Sequence, residues 1–264
     1  MGYMESYKAW CANEYFDEAT RAELKSIEGN EKEIEDRFYK DLEFGTGGLR
    51  GVIGNGTNRM NIYTVRKATQ GLANFIKKEN AADRGVAIAY DSRRMSPEFA
   101  DEAALCLNAN GIKAYIFPSL RPTPELSFAV RQLHCIAGIV ITASHNPPEY
   151  NGYKVYWEDG GQLVEPQASG IIEEVNNTDE FEDVKAITKD EALGSGLLTI
   201  LSDELDSKYL ESVKKEAILK NLPKDIKIVY SPLHGTGGSA VKRLLEELGY
   251  INIYVVDEQF EPNG

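Results

Sequence analysis

No long apolar run occurs in this sequence. The longest, Cys135 to Ala143, covers nine residues, far short of the ~20 needed to cross a bilayer, so no membrane span is expected. The stretch after Met1 carries Glu5, Lys8 and Glu14 among its apolar residues, which is unlike a signal peptide. Cysteine is scarce and odd in number, Cys11, Cys106 and Cys135, with no C-x-x-C. That excludes a disulfide framework and predicts reduced thiols in a cytoplasmic protein, Cys106 and Cys135 buried. No charged or metal-like neighbour stands near them to lower a thiol pKa, which argues against a thiolate catalyst. Positive charge is also short: 29 Lys and Arg stand against 42 Asp and Glu, a net charge of −13. Such a chain is a poor wrapper of nucleic acid and is repelled by an anionic membrane. A small anionic ligand stays open, because an Arg, a nest of amides or a metal reverses the sign within one cleft.

What is present is a globular balance. Hydrophobic residues make up 42% and charged residues 27%, enough to bury a sizeable core. At about 150 residues per domain, 264 residues mean one large domain or two ordinary ones. Residues 1–40 read as a helical N-terminal extension. There Asn30 and Glu33 suit a capping box ahead of Ile34, Phe38 and Tyr39 on one face. A glycine-dense loop, Phe44 to Gly51, follows. Thr64 to Lys78 is helical. Gly85–Tyr90, Lys113–Phe117 and Ile136–Thr142 are apolar throughout, as in buried strands. Ser96 as N-cap with Pro97 at the first helical position opens a helix that ends at Gly111, and Thr123-Pro124 opens another. Buried strands alternating with helices predict an α/β fold, a mixed, mostly parallel sheet with helices on both faces.

Beyond Thr142 the rhythm changes. Asp159-Gly160-Gly161 reads as a hairpin turn between Tyr153–Trp157 and Gln162–Val164. Gln167–Asn176 is helical and Asn177–Gly196 is an acidic connector. Asp203–Lys220 is amphipathic through Leu205, Tyr209, Val213 and Ile218. Ile226–Tyr230, the loop Ser231–Gly238, a helix Ala240–Leu248 and a strand Ile251–Val256 form one β-α-β unit before Pro262-Asn263-Gly264. The division expected is 1–40, 41–200 for a first α/β domain, and 201–264 for the beginning of a second, incomplete one.

Ser144 sits where a strand hands over to a loop, the place where open α/β sheets put their sites. On position alone it reads as a turn-capping serine. The hydrolase elbow G-x-S-x-G is absent, since Ala143 and His145 flank the serine. In extended backbone the side chains of Ser144 and His145 point apart. Arg50 reads as an exposed loop charge, Lys154 as a polar residue on an alternating strand, and His134 as a helix-end residue. The Gly235-Thr236-Gly237-Gly238 loop fits neither G-x-G-x-x-G nor a P-loop and reads mainly as a tight turn.

As a string, Thr142-Ala143-Ser144-His145-Asn146-Pro147 resembles the phosphoserine loop of the α-D-phosphohexomutases, the phosphoglucomutase and phosphomannomutase family. Further similar stretches run in order: Gly45-Thr46-Gly47-Gly48-Leu49-Arg50-Gly51, Tyr90-Asp91-Ser92-Arg93, Asn151-Gly152-Tyr153-Lys154-Val155-Tyr156 and Ser231 to Gly238. The resemblance implies a phosphoserine at Ser144 that passes its phosphoryl to a sugar monophosphate and recovers another from the bisphosphate. It implies Arg50 as a bidentate donor to the phosphoryl, Lys154 as cation and general acid/base, and His145 as an orienting partner. Thr46 and Gly47 would bind phosphate. One Mg²⁺ would be held by the phosphoserine and by a D-x-D-x-D-R loop. No D-x-D-x-D occurs in the 264 residues, and neither do the family's G-E-E-S-G-like sugar loop and R-x-S-G-T-E-P-like phosphate loop. These are expected C-terminal to Gly264, with this chain an inactive N-terminal fragment that needs the missing domains. The implied substrates are glucose 1-phosphate and 6-phosphate, with glucose 1,6-bisphosphate as intermediate. Mannose or pentose phosphates are alternatives, as is a non-catalytic phosphosugar-binding module.

Overall fold

The computed structural model describes residues 2–218 and 222–263. The N-terminal segment forms α1 (Tyr3–Ala12), α2 (Glu18–Ser26) and α3 (Glu31–Phe38). Their apolar faces build a small aromatic core from Tyr7, Trp10, Phe16, Leu24, Ile34 and Phe38. Trp10 stacks on Phe16 at 4.1 Å, and both meet Tyr63 edge-on, an arrangement aromatic quadrupoles favour. The capping box expected at Asn30 is only half formed. Its side chain accepts the Glu33 N–H, but the Glu33 carboxylate turns forward to Arg37, four residues on, at 2.8 Å. Tyr39, expected on the buried face, caps the helix and is exposed.

After β1 (Gly48–Val52) and α4 (Ile62–Lys78) the chain alternates strand and helix. It runs through β2 (Val86–Tyr90), α5 (Ser96–Ala109), β3 (Ala114–Ile116), α6 (Thr123–Gln132) and β4 (Ala137–Ile141). Then come β5 (Tyr150–Trp157), α7 (Gln167–Asn177), α8 (Lys189–Gly194), β6 (Leu198–Ile200) and α9 (Asp203–Lys215). The six strands form one sheet in the order β1-β5-β4-β2-β3-β6. β5 is antiparallel to both its neighbours, and the other pairings are parallel. The mixed, mostly parallel sheet read from the sequence is what forms. Strand alternation feeds both faces: Val86, Ile88, Ile139 and Ile141 meet α4, α5 and α7, while Ala87, Ala89 and Val140 meet α6 and α9.

Four local readings change. Ser96 does not cap α5. Met95, in a left-handed conformation at φ +64°, precedes the helix, and the Ser96 hydroxyl donates instead to Asp91 Oδ1 at 2.8 Å. The expected hairpin has no second strand: beyond its tight turn the return is a single bridge, Tyr156 to Gln162, and β5 pairs with β1 and β4 instead. The acidic connector contains α8, which buries Ala192. α9 stops at Lys215 and buries Leu205 and Leu210, while Ile218 lies beyond it, almost fully exposed. Lys220 falls outside the described residues.

A second, two-stranded parallel sheet pairs β7 (Lys227–Tyr230) with β8 (Asn252–Val255), joined through α10 (Gly238–Glu247) and followed by α11 (Asp257–Phe260). The cross-strand partners Val229 and Tyr254 stand exposed. Cys106 and Cys135 are buried as expected, and burial pushes both thiols up to about 12. Among the described residues no helix is long and apolar enough to cross a membrane.

α6, α9 and α10 meet around buried charge. Arg121 clamps Asp206 with two nitrogens, at 3.1 and 2.7 Å. Arg243 lines the same contact. Beside them Glu125 is 1% exposed. Burial, and then the hydrogen bond and charge of Asp206, push its carboxyl up to about 8. A carboxyl whose folded pKa exceeds its unfolded one stabilises the fold while protonated, and that contribution is lost as pH rises toward the folded value. Glu125→Gln is therefore expected to flatten the fall in stability between about pH 5 and 8. Urea midpoints for both forms across that window check this, and parallel profiles would refute it.

Candidate functional site

β4 is buried along its whole length and delivers the chain to the carboxyl edge of the sheet. Three residues later Ser144 is exposed. It adopts φ +57°, a left-handed conformation that a non-glycine residue takes only when its surroundings hold it. The Ser144 N–H donates to Thr142 Oγ1 at 3.0 Å, and Asn146 N–H donates to the Ala143 carbonyl at 3.1 Å. This turn also alters the relation to His145. Extended backbone would part the two side chains, but here Ser144 Oγ lies 3.4 Å from His145 Nδ1.

The loop borders an open cavity of about 600 Å³, lined by Asp91, Arg93, Ser144, His145, Lys154 and Thr236 among others. β5 supplies Lys154, opposite Val140 of β4 and Gly48 of β1. Arg50 pairs with Gly152, so Arg50 and Lys154 stand on the same face of adjacent strands. Gly152 has to be glycine here, because a Cβ would come within 2.6 Å of the Thr142 carbonyl. Burial and then the Arg50 charge lower the Lys154 ammonium from its ordinary value, with Asp91 opposing. Arg50 does not line the cavity itself. Its Nη1 donates to Asn146 Oδ1 at 2.8 Å, which ties β1 to the serine loop.

Thr46 and Gly47 do not line the cavity. Their loop is a closed turn: Gly45 and Gly48 exchange N–H and carbonyl at 2.9 and 3.2 Å, and the Gly47 carbonyl accepts from Val155 N–H. Gly48 sits at φ +137°, where a Cβ would overlap the Tyr153 carbonyl. The glycines let the turn lie flat on β5. His134 lies just past α6 at φ +54°, and its N–H donates to the Arg131 carbonyl.

Sequence reasoning passed over three contributors. Gly235 and Thr236, read as part of a boundary turn, reach the same cavity. Leu233 and His234 bend that loop through left-handed conformations, at φ +48° and +63°. Arg93 stands in a motif that carries no assigned role in the sequence, yet its guanidinium donates into the serine loop. The usable signal was position. Tyr90 ends β2, the parallel neighbour of β4, so Asp91 to Arg93 leave the sheet at the same carboxyl edge.

The donors for a metal are few. Among the described residues no group of three or more His, Cys, Asp and Glu comes together as a metal site. Asp91, the carboxylate in the cavity, already accepts from Ser96 Oγ and Arg93 N–H. Ser144 and these neighbours do not fit a magnesium site by themselves.

Comparison with known proteins accords with this geometry. Family models for phosphoglucomutase/phosphomannomutase alpha/beta/alpha domains I and II match residues 41–182 and 207–264. A phosphoglucomutase of Staphylococcus saprophyticus is 39% identical over 235 residues, covering 89% of this chain and 42% of that protein. A phosphopentomutase of Pongo abelii is 34% identical over 247 residues, covering 89% and 40%. A solved structure from Thermus thermophilus, assigned as a phosphomannomutase, aligns with TM-score 0.70 at 28% identity over 85% of this chain and 47% of that one. The chain thus spans less than half the length of these relatives. With a serine loop at the carboxyl edge of a mixed sheet and both family models in order, the chain belongs to the phosphoglucomutase/phosphomannomutase family.

Proposed function

We propose that a protein of the relatives' length carrying this chain interconverts α-D-glucose 1-phosphate and glucose 6-phosphate, with Ser144 as phosphoryl carrier and glucose 1,6-bisphosphate as intermediate. The observation that carries this reading is the exposed Ser144 hydroxyl, held in a left-handed turn at the end of β4 beside Lys154 and His145. Phosphoryl transfer needs positioning and charge neutralisation more than covalent chemistry. The sugar hydroxyl oxygen attacks phosphorus and its proton passes to a base, while the P–Oγ bond of phosphoserine breaks and the departing Ser144 oxygen takes up a proton from solvent at the exposed loop. Lys154 is proposed as that base, since its depressed ammonium gives up a proton more readily than an ordinary lysine. After the bisphosphate turns over in the site, the same steps in reverse return its other phosphoryl to Ser144. Arg50, through Asn146, is proposed to hold the loop and add positive charge. His145 is proposed to orient the hydroxyl. Thr46 and Gly47 are proposed to offer backbone amides or the Thr46 hydroxyl to phosphate. A pentose phosphate substrate is the second reading, favoured by the phosphopentomutase relative at 34% identity.

Two outcomes test this. Ser144→Ala in the complete protein should lower turnover on the order of 10³-fold or more, with melting nearly unchanged because the side chain is exposed. Intact mass should find one phosphoryl group on the parent and none on the variant. An unphosphorylated parent that binds hexose phosphate without turnover would favour a binding module instead. Lys154→Ala should lower kcat by about 10²–10⁴. Lys154→Arg keeps the charge but cannot release a proton, so it should abolish a pH–rate limb lying below the ordinary lysine range. Full activity in Lys154→Arg would leave Lys154 as a cation only.

A further inference from the structure

The serine loop has little means of holding its own shape. Pro147 and Pro148 have no N–H to give, and Ser144 sits in a conformation disfavoured for any residue with a Cβ. Between Ala143 and Tyr150 the loop closes only two backbone hydrogen bonds of its own, from Asn146 to Ala143 and from Tyr150 to Pro147. Four of its carbonyls, those of Ser144, Asn146, Pro147 and Tyr150, converge on one point. Carbonyl dipoles facing one another repel unless a donor stands between them.

Arg93 is that donor. Its Nη1 donates to Pro147 O and Tyr150 O at 2.8 and 2.9 Å, and its Nη2 donates to Ser144 O and Asn146 O at 2.9 and 2.5 Å. Its Nε faces the Asp91 carboxylate at 3.6 Å. The side chain is only 12% exposed, and the planar fork has a use for each of its nitrogens. The guanidinium is itself braced. Asp91 accepts from the Arg93 backbone N–H and from Ser96 Oγ, and Ser96 Oγ accepts from Asn151 Nδ2. Asn151 is fully buried on β5, one residue after the loop ends. The support therefore runs from the far end of the loop, through α5 and β2, back to its beginning.

We infer that Arg93 is a positioning residue that fixes the left-handed turn at Ser144 and so aims the Ser144 hydroxyl into the cavity. This rests on the mutase reading for its catalytic consequence, but the effect on the loop stands without it. Lysine at this position offers one compact ammonium in place of the fork and cannot span four carbonyls.

The test compares Arg93→Lys, Arg93→Ala and Ser144→Ala in the complete protein, each checked first by thermal melting. Displacing a reacting group by about 1 Å costs on the order of 10²-fold. Arg93→Lys is therefore expected to lower kcat by about that factor, with KM for the sugar phosphate within about twofold. Backbone amide exchange in this chain should rise at Ser144, Asn146 and Tyr150, whose N–H groups are bonded in or beside the loop. Methylguanidinium should restore part of the rate of Arg93→Ala, and methylammonium should not. Should Arg93→Ala fail to fold, Arg93→Lys decides the question through kcat and exchange. An unchanged kcat in Arg93→Lys, or a raised KM with kcat intact, overturns the inference. Undiminished turnover in Ser144→Ala overturns the mutase reading instead, and the exchange measurement then still decides whether Arg93 holds the loop.

Discussion

The return of the chain from β4 into β5 is the constraint on which the site depends. Every other neighbour pair among β4, β2, β3 and β6 is parallel and needs a long crossover. β5 reverses beside β4 after eight intervening residues, so both strands present their site residues at one edge. Ser144 leaves on the outgoing strand, and Lys154 comes in on the returning one. Because β5 also pairs with β1, Arg50 falls into place with no contact to the cavity of its own. The glycines at 48 and 152 belong to this same packing: each sits where a Cβ would strike a neighbouring carbonyl. Slipping β5 by one residue would turn Lys154 to the opposite face of the sheet. Register is thus as much a determinant of the site as the identity of its residues.

Much of this was legible in the sequence, and for a stated reason. Strands such as Val86–Tyr90 and Ala137–Ile141 are apolar on both faces because helices cover both, and this pattern is local. The placement of Ser144 at a strand's carboxyl end followed from the same reading. What failed to show were choices between local alternatives that only tertiary contact decides. Ser96 has every local mark of an N-cap, yet its hydroxyl goes to Asp91 because β2 brings that carboxylate within reach. Glu33 prefers Arg37, half-buried beside it, to the reciprocal bond of a capping box. The Asp159-Gly160-Gly161 turn is real and the return bonds to β5 at Val155 and Trp157, but β1 holds that edge of β5 from Tyr150 to Lys154, so no second strand develops.

Side-chain function was least legible where the residue works through the backbone. Nothing in the string Tyr90-Asp91-Ser92-Arg93 announces that its arginine will meet four carbonyls more than fifty residues away. The phosphate role of Thr46 and Gly47 rests on the family resemblance, and the loop's own composition does not decide it. A glycine-dense loop suits close approach of any kind, and here the approach is to β5. Glycine density alone does not say whether the partner is a ligand or a strand.

Charge joins these features. The chain as a whole carries −13, yet its serine loop is bounded by Arg50, Arg93 and Lys154. These three cations differ in how they are satisfied. Arg93 is consumed by backbone carbonyls and Asp91, so its charge is largely spoken for. Arg50 gives one hydrogen bond to a neutral amide and, among the described residues, keeps the rest of its donors. Lys154 makes no ion pair among the described residues, and burial together with Arg50 works against its protonated form. An arriving dianion offsets the Arg50 repulsion, while the burial that lowers Lys154 stays in place. A neutral sugar offsets nothing. On the proposed function, that repulsion in the free protein is what would favour a doubly charged phosphoryl group over an uncharged ligand of similar size, in a protein whose long-range field otherwise holds anions away.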